Sequence, residues 1–384
     1  MTPTIVIPGL QGSSLQNKYS VPTETSWSMK SLIEQQLTAV DFNTIGLCKN
    51  GEDSSPTVLN YPESVFGYPY APLIAALRGK LGSEVYPFSY DWRVSLVDSA
   101  QELIYFVKRL TRKLRSTSSD WDGKFNFVCH SFGGLVFRGF LEKSFGVIDN
   151  LVNKVVFIGV PHRGSLDAVD ALVRGQSPAF GGRKEMRKLS RTFPSVYELL
   201  PTYEGALKSV SGENLDVFSL ASWQSNTTSS TKRYAIEQFY LDNAKDALSL
   251  APLPVGEGYL DPSQCLSIVG TEKSSTFSTL SYVKGSQPLN GHLDGRGWLD
   301  FDGADRSIGD DVVLLNSAHL PGVDYVWLDR ASVPYFTLAM FTSLHASIPA
   351  LDEVHTIVGR FLSGVVGSEV LPRSFPKWRY SVGD

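Results

Sequence analysis

The chain has 384 residues, 42% of them apolar and 19% charged, enough for a sizeable core and against global disorder. A formal net charge of −4, with no dense Lys/Arg tract, gives no electrostatic case for nucleic-acid binding. Strand patterns occur near Thr4–Ile7, Val85–Phe88, Phe125–Cys129, Val155–Gly159, Cys265–Val269 and Asp324–Leu328, with helical patterns between most of them. Such alternation predicts an α/β fold, a mainly parallel sheet covered by helices on both faces. A helix starting near Ser99 has an apolar face of Leu103, Ile104, Phe106, Val107, Leu110 and Leu114. Its Lys108, Arg109, Arg112, Lys113 and Arg115 form a solvated basic face that allows at most a weak, transient contact with an anionic lipid surface.

Two stretches break the rhythm. Residues 13–67 are too long for a simple βα loop and read as a long loop or lid, with a helical segment around Met29–Leu37 and an exposed-looking Trp27. Residues 166–262 read as an inserted cap between two parts of one core, 1–165 and 263–384. Its Phe180, Phe193, Tyr197, Phe218, Trp223, Phe239 and Tyr240 line a substrate pocket or form a small core of their own.

The most informative segment is Cys129-His130-Ser131-Phe132-Gly133, where a strand pattern gives way to a helix pattern. A Ser at such a turn is lifted clear of the sheet, with a helix N-terminus beside it that favours developing negative charge. The usual pattern is G-x-S-x-G, and here Cys129 stands in place of the first Gly. An α/β-hydrolase orders its triad as Ser, then acid, then His. His130, His162 and His292 have no suitable acid between Ser131 and themselves. His319 precedes the last core strand pattern, and His355 falls within an amphipathic run where it faces solvent or a neighbouring helix. His345, in the loop-like Ser343-Leu344-His345-Ala346-Ser347, is the favoured base. The acid lies in Gly309-Asp310-Asp311-Val312, with Asp310 favoured and Asp311 the alternative, a turn-capping or solvated neighbour. Asp302 and Asp305 read as turn formers. Oxyanion donors are expected from the backbone N–H of Phe132 and from Pro8-Gly9-Leu10-Gln11-Gly12-Ser13, with Leu10 favoured and Gln11 next.

These residues resemble the lecithin:cholesterol acyltransferase-like branch of the α/β-hydrolases, which includes phospholipid:diacylglycerol acyltransferases and lysosomal phospholipases. The matching pieces are Pro8–Ser13, Tyr90-Asp91-Trp92-Arg93, His130–Gly134, Pro161-His162-Arg163-Gly164-Ser165, Phe193-Pro194-Ser195, Leu199-Leu200-Pro201, Gly309–Val312 and the His345 segment. The resemblance implies an α/β-hydrolase with a cap and an acyl enzyme acting on lipid esters, by hydrolysis or by transfer to an alcohol. It leaves oligomeric state open. A short-chain carboxylesterase is the alternative among enzymes, and an inactive hydrolase fold used for binding is the alternative outside them.

No organic cofactor is expected, and His292, Asp294 and His319 are too scattered for a metal site. Asp91 and Arg93 are expected to brace the corner after their strand, and His162 and Arg163 to form a structural turn. Three cysteines, Cys48, Cys129 and Cys265, cannot make a disulfide framework. Met1-Thr2-Pro3-Thr4 runs straight into a strand pattern, and no run approaches the roughly 18 apolar residues that a membrane span needs. The expectation is therefore a cytoplasmic protein.

Overall fold

The computed structural model describes residues 2–18, 21–28, 46–47, 60–144, 149–175, 183–229, 234–256, 259–284, 297–330, 333 and 343–383. The expected helix at Met29–Leu37, Cys48, Phe180, His292 and Asp294 lie outside these residues.

The first half of the chain runs β1 (Thr4–Ile7), β2 (Ser13–Asn17), β3 (Glu24–Trp27), β4 (Asn60–Val65), α1 (Gly67–Leu81), β5 (Val85–Pro87), α2 (Leu96–Thr117), β6 (Phe125–His130), α3 (Phe132–Ser144) and β7 (Val152–Ile158). Next come α4 (Leu166–Val173), α5 (Arg183–Ser190), α6 (Pro194–Tyr197), the two-residue strands β8 (Leu207–Lys208) and β9 (Asn214–Leu215), α7 (Ser225–Thr228) and α8 (Gln238–Ser249). The remainder is β10 (Cys265–Val283), β11 (Trp298–Gly309), α9 (Leu315–Ala318), β12 (Tyr325–Asp329), α10 (Leu344–Ser347), α11 (Asp352–Leu362) and β13 (Trp378–Ser381).

The main sheet has the order β13-β12-β10-β7-β6-β1-β5. Its pairings are parallel except for β13, which runs antiparallel to β12 at the edge. Every residue of β1 and β6 is buried, as expected of parallel strands covered on both faces. Helix α2 begins at Leu96, three residues before the sequence-based start, because Ser95 Oγ accepts the Val97 N–H as an N-cap. Leu103, Ile104, Val107, Leu110 and Leu114 recur at helical spacing and are buried, Phe106 is only half-buried, and Lys108, Arg109, Arg112, Lys113 and Arg115 are exposed. This is the α/β-hydrolase arrangement.

Two expectations fail, and one strand runs further than its pattern. Trp27 is buried, not exposed: its ring lies 5.1 Å from that of Trp92, and its Nε1–H donates to the Gln11 carbonyl. The strand pattern at Cys265–Val269 is the start of a 19-residue strand. Its first part pairs with β7 and β12 in the main sheet, and its second part leaves that sheet to pair antiparallel with β11. Asp302 and Asp305 accordingly sit in β11 rather than in turns. Asp300 instead makes the local bend, its Oδ1 accepting the N–H groups of Asp302 and Gly303. Alternating Asp and Gly hid this strand, because a polar ribbon edge lacks the apolar period of a core strand.

The 166–262 segment is stitched to its surroundings. β8 pairs with β10, Tyr282 donates to the Ser222 carbonyl, and the buried Arg138 guanidinium of α3 donates to the carbonyls of Ala251 and Pro252. Tyr197 stacks on Tyr240 at 5.2 Å, and Phe193, Phe218 and Trp223 are buried, whereas Phe239 is 48% exposed.

Candidate active site

Strand β6 ends at His130, and α3 begins at Phe132, so Ser131 alone makes the turn. It does so at φ +51°, a left-handed conformation that costs a residue with a Cβ of order 1 kcal/mol or more. The turn is held by Ser131 N–H donating to the Ile158 carbonyl at 3.0 Å and by Gly134 N–H donating to the Ser131 carbonyl at 2.9 Å. Gly133 is required here, since a Cβ would lie 2.5 Å from the Pro8 carbonyl oxygen. Cys129 fits where the common pattern has Gly. It is wholly buried in β6, opposite Ile7 and Phe157 in the flanking strands, and burial pushes its thiol pKa far up. A thiol kept in that form is inert packing.

Asp310, directly after β11, and His345, in α10, meet Ser131 beside the end of β7. His345 Nδ1–H donates to Asp310 Oδ2 at 2.8 Å, and its Nε2 faces Ser131 Oγ at 2.8 Å. An ionised carboxylate only accepts hydrogen bonds, so it holds the imidazole as the Nδ1–H tautomer. That leaves the Nε2 lone pair for the serine hydroxyl. The second oxygen of Asp310 accepts the N–H groups of Val312 and Val313, and the Asp310 carbonyl accepts the His345 N–H. Asp310 is 1% exposed and His345 6% exposed, so the pair works in a low dielectric. Gly159, at φ +54°, ends β7 directly against this pair.

Asp311 points elsewhere. It occupies φ +78°, and its Oδ2 accepts from Arg330 at 2.7 Å and from Leu344 N–H at 2.8 Å. It is thus an ion-paired anchor for the loop that carries His345, not a solvated neighbour. Three of the other histidines, His319, His355 and His162, stand apart. His319 packs edge-on against Tyr325, while His355 is buried, not solvent-facing, with Nε2–H donating to the Pro349 carbonyl. His162 is buried against Phe157, and its N–H joins Arg163 N–H in bonding Ser317, a structural turn.

The loop after β1 comes close to the serine. Gly9 is packed so tightly that a Cβ there would be 2.8 Å from Ser131 Cβ. Its N–H donates to Tyr70 Oη at 2.9 Å, so it is not the oxyanion donor. Among the described residues, the N–H groups of Leu10, Gln11 and Phe132 make no hydrogen bond to a backbone or side-chain acceptor. The Tyr-Asp-Trp-Arg segment braces this loop: Tyr90 Oη donates to the Pro8 carbonyl, Tyr90 N–H to Ser13 Oγ, and Trp92 Nε1–H to the Ser13 carbonyl. Asp91 and Arg93 pair with each other at 2.6 Å. Sequence reading did not find the close packing of Gly159 on Asp310 and His345 or the Tyr70 bond to Gly9. A small residue ending a strand pattern, at Gly159, was the one local signal.

Cys129 and Cys265 are buried free thiols. Among the described residues, no group of three or more His, Cys, Asp or Glu side chains is arranged to hold a metal ion. Nor is any described helix long and apolar enough to cross a membrane.

Residues 79–251 match the family model described as lecithin:cholesterol acyltransferase. The match includes Ser131 and the Tyr90–Arg93 segment and stops before Asp310 and His345. A search of curated proteins gives no match. Among solved structures, the crystal structure of the Tle4–Tli4 complex superposes with a TM-score of 0.58 at 14% identity, covering 83% of this chain and 88% of that one. The mature Bacillus licheniformis lipase BlEst2 has a TM-score of 0.37 at 12% identity over 84% of this chain and 80% of that one. A carboxylesterase structure from the thaumarchaeon Nitrososphaera gargenis has a TM-score of 0.26 at 13% identity, covering 71% and 73%. The resemblance to the acyltransferase family is borne out over the matched segment. The chain is an ester hydrolase or acyltransferase in class.

Proposed function

We propose that this chain acts on lipid esters through an acyl-enzyme on Ser131, with His345 as general base and acid and Asp310 as its orienting carboxylate. One observation carries the reading. Asp310 Oδ2, His345 Nδ1, His345 Nε2 and Ser131 Oγ form a continuous hydrogen-bonded series with both links at 2.8 Å, ending on a serine held at φ +51°.

In this reading Ser131 Oγ attacks the ester carbonyl while its proton passes to His345 Nε2. The imidazolium so formed is stabilised by Asp310. The Leu10 and Phe132 N–H groups hold the negative charge on the tetrahedral oxygen. The intermediate collapses as His345 returns the proton to the departing alkoxide, releasing an alcohol and leaving the acyl group on Ser131. Water or an acceptor alcohol then gives its proton to His345 and attacks the acyl carbonyl. Ser131 leaves with that proton, and the product is a free acid or a new ester.

The 166–262 segment serves as the cap. It follows β7 and Gly159 by way of the Pro161–Ser165 turn of the core, where Ser165 Oγ donates to the Val312 carbonyl of the acid loop at 2.5 Å. In this reading the cap covers the serine and reads the acyl chain. Each buried methylene contributes about 0.8 kcal/mol, so a few chain contacts change preference by a hundredfold.

The deciding experiment is fluorophosphonate labelling with mapping of the modified peptide. Label on Ser131 in the parent chain and none in Ser131→Ala supports the reading. An unlabelled, folded parent refutes it. A p-nitrophenyl ester series of rising chain length, run with and without an acceptor alcohol, separates lipid from short-chain preference and transfer from hydrolysis.

A further inference from the structure

His130, the residue before the serine, lies buried within a network that no part of the proposed reaction uses. Its Nδ1 is 2.7 Å from Tyr70 Oη, and its Nε2 is 3.2 Å from the backbone carbonyl of His345. Tyr70 Oη also accepts the Gly9 N–H. Only one proton arrangement satisfies all three contacts. A carbonyl can only accept, so Nε2 must carry the hydrogen. Nδ1 is then an acceptor, and the Tyr70 hydroxyl donates to it while accepting from Gly9. The reverse tautomer would set a lone pair against the His345 carbonyl and leave the Tyr70 hydrogen without an acceptor.

The donors therefore run in one direction, from Gly9 N–H through Tyr70 and His130 to the His345 carbonyl, and each bond polarises the next. The three links tie together residues 9, 70, 130 and 345. Tyr70 and His130 are both buried, at 3% and 6% exposure, and their rings meet edge-on at 5.7 Å. The His130 and His345 rings lie 5.0 Å apart. Burial and the neighbouring His345 both hold His130 well below the usual imidazole range, which favours the neutral ring that this proton arrangement requires.

We infer that Tyr70 and His130 are positioning residues, which hold the oxyanion loop at Gly9 and the base loop at His345 in register about Ser131. The inference rests on the serine reading above. Neither side chain touches the reacting atoms. Their effect is on where the Leu10 N–H and the His345 imidazole stand when the tetrahedral oxygen forms.

Tyr70→Phe removes one hydroxyl and keeps the ring packing. For a soluble p-nitrophenyl ester it should lower kcat roughly 10- to 100-fold, as sub-ångström to ångström misplacement does, with KM changed less than about threefold. Inhibition by an alkyl boronic acid, which mimics the tetrahedral state, should weaken by the same factor as kcat/KM. A merely structural role would not produce that parallel. His130→Gln, whose amide can still donate to the His345 carbonyl, should retain more activity than His130→Ala. A folded Tyr70→Phe with kcat and boronate affinity within twofold of the parent overturns the inference, and so does equal activity of the two His130 variants. Failure of the underlying reading is distinct: the parent itself would take no fluorophosphonate on Ser131, and both proposals would fall.

Discussion

Gly159 lies so close to His345 that a methyl group on its Cα would stand 3.0 Å from the His345 Nδ1 and equally near Asp310 Oδ2. The absence of a side chain there is what lets Asp310 and His345 hydrogen-bond directly beside the end of β7. Gly159→Ala should therefore displace the pair and also strain a backbone at φ +54°, at a cost of about 1–2 kcal/mol. We expect kcat to fall at least about tenfold with little change in KM and Tm to drop by a few degrees. Ester kinetics and a calorimetric melt check both, and unchanged kcat would mean that the pair tolerates a neighbour there.

Ser131→Ala and His345→Ala should each remove nearly all turnover, by several orders of magnitude, because a nucleophile and its base act as a unit. His319→Ala should cost less than about threefold, since that ring packs on Tyr325 rather than on the site. Steady-state rates on one soluble ester, with circular dichroism to verify folding, give the comparison. Equal losses at His319 and His345 would contradict the assignment of the base.

The two adjacent aspartates should separate cleanly. Asp310→Asn keeps the volume but reverses the hydrogen-bonding preference at His345 Nδ1. It should lower kcat by roughly 10³–10⁴-fold. Asp311→Asn weakens the contacts with Arg330 and the Leu344 N–H and should act mainly on stability, with kcat reduced less than about tenfold. Greater damage to catalysis from Asp311→Asn than from Asp310→Asn would reverse these roles.

Glu198 predicts a pH effect on stability. It is 2% exposed, and its carboxylate accepts from the Leu96 N–H at 2.7 Å and from Ser95 Oγ at the start of α2. Burial raises its pKa from 4.5 to about 7 in spite of those two hydrogen bonds. The folded state thus holds the proton more tightly than the unfolded chain. The corresponding stabilisation is complete below pH 4.5 and is lost as pH rises through about 7, an effect of up to about 3 kcal/mol. Glu198→Gln cannot ionise, so the Tm of the parent relative to this variant should fall between pH 5 and pH 8. A difference in Tm that stays constant across that range would refute it.

Much of the molecule is local in its causes, and those parts can be read along the chain. The apolar runs at Thr4–Ile7 and Phe125–Cys129 are strands because parallel strands covered on both faces must be apolar throughout. The change from strand to helix pattern singled out Ser131, and the order serine, acid, histidine singled out the segments carrying Asp310 and His345. Tertiary structure decided what depends on residues far apart in sequence. Only folding sets Asp310, rather than Asp311, against His345, because the left-handed turn at Asp311 sends its carboxylate to Arg330. Trp27 is covered because Trp92 comes to rest on it, and β11 exists because the distal part of β10 offers it a pairing edge. The Gly9–Tyr70–His130–His345 network is likewise invisible along the chain, since its links span 61, 60 and 215 residues. Periodicity records which face a side chain presents to the core, whereas hydrogen-bond partners at such separations are chosen only when the packed sheet brings its strand ends together.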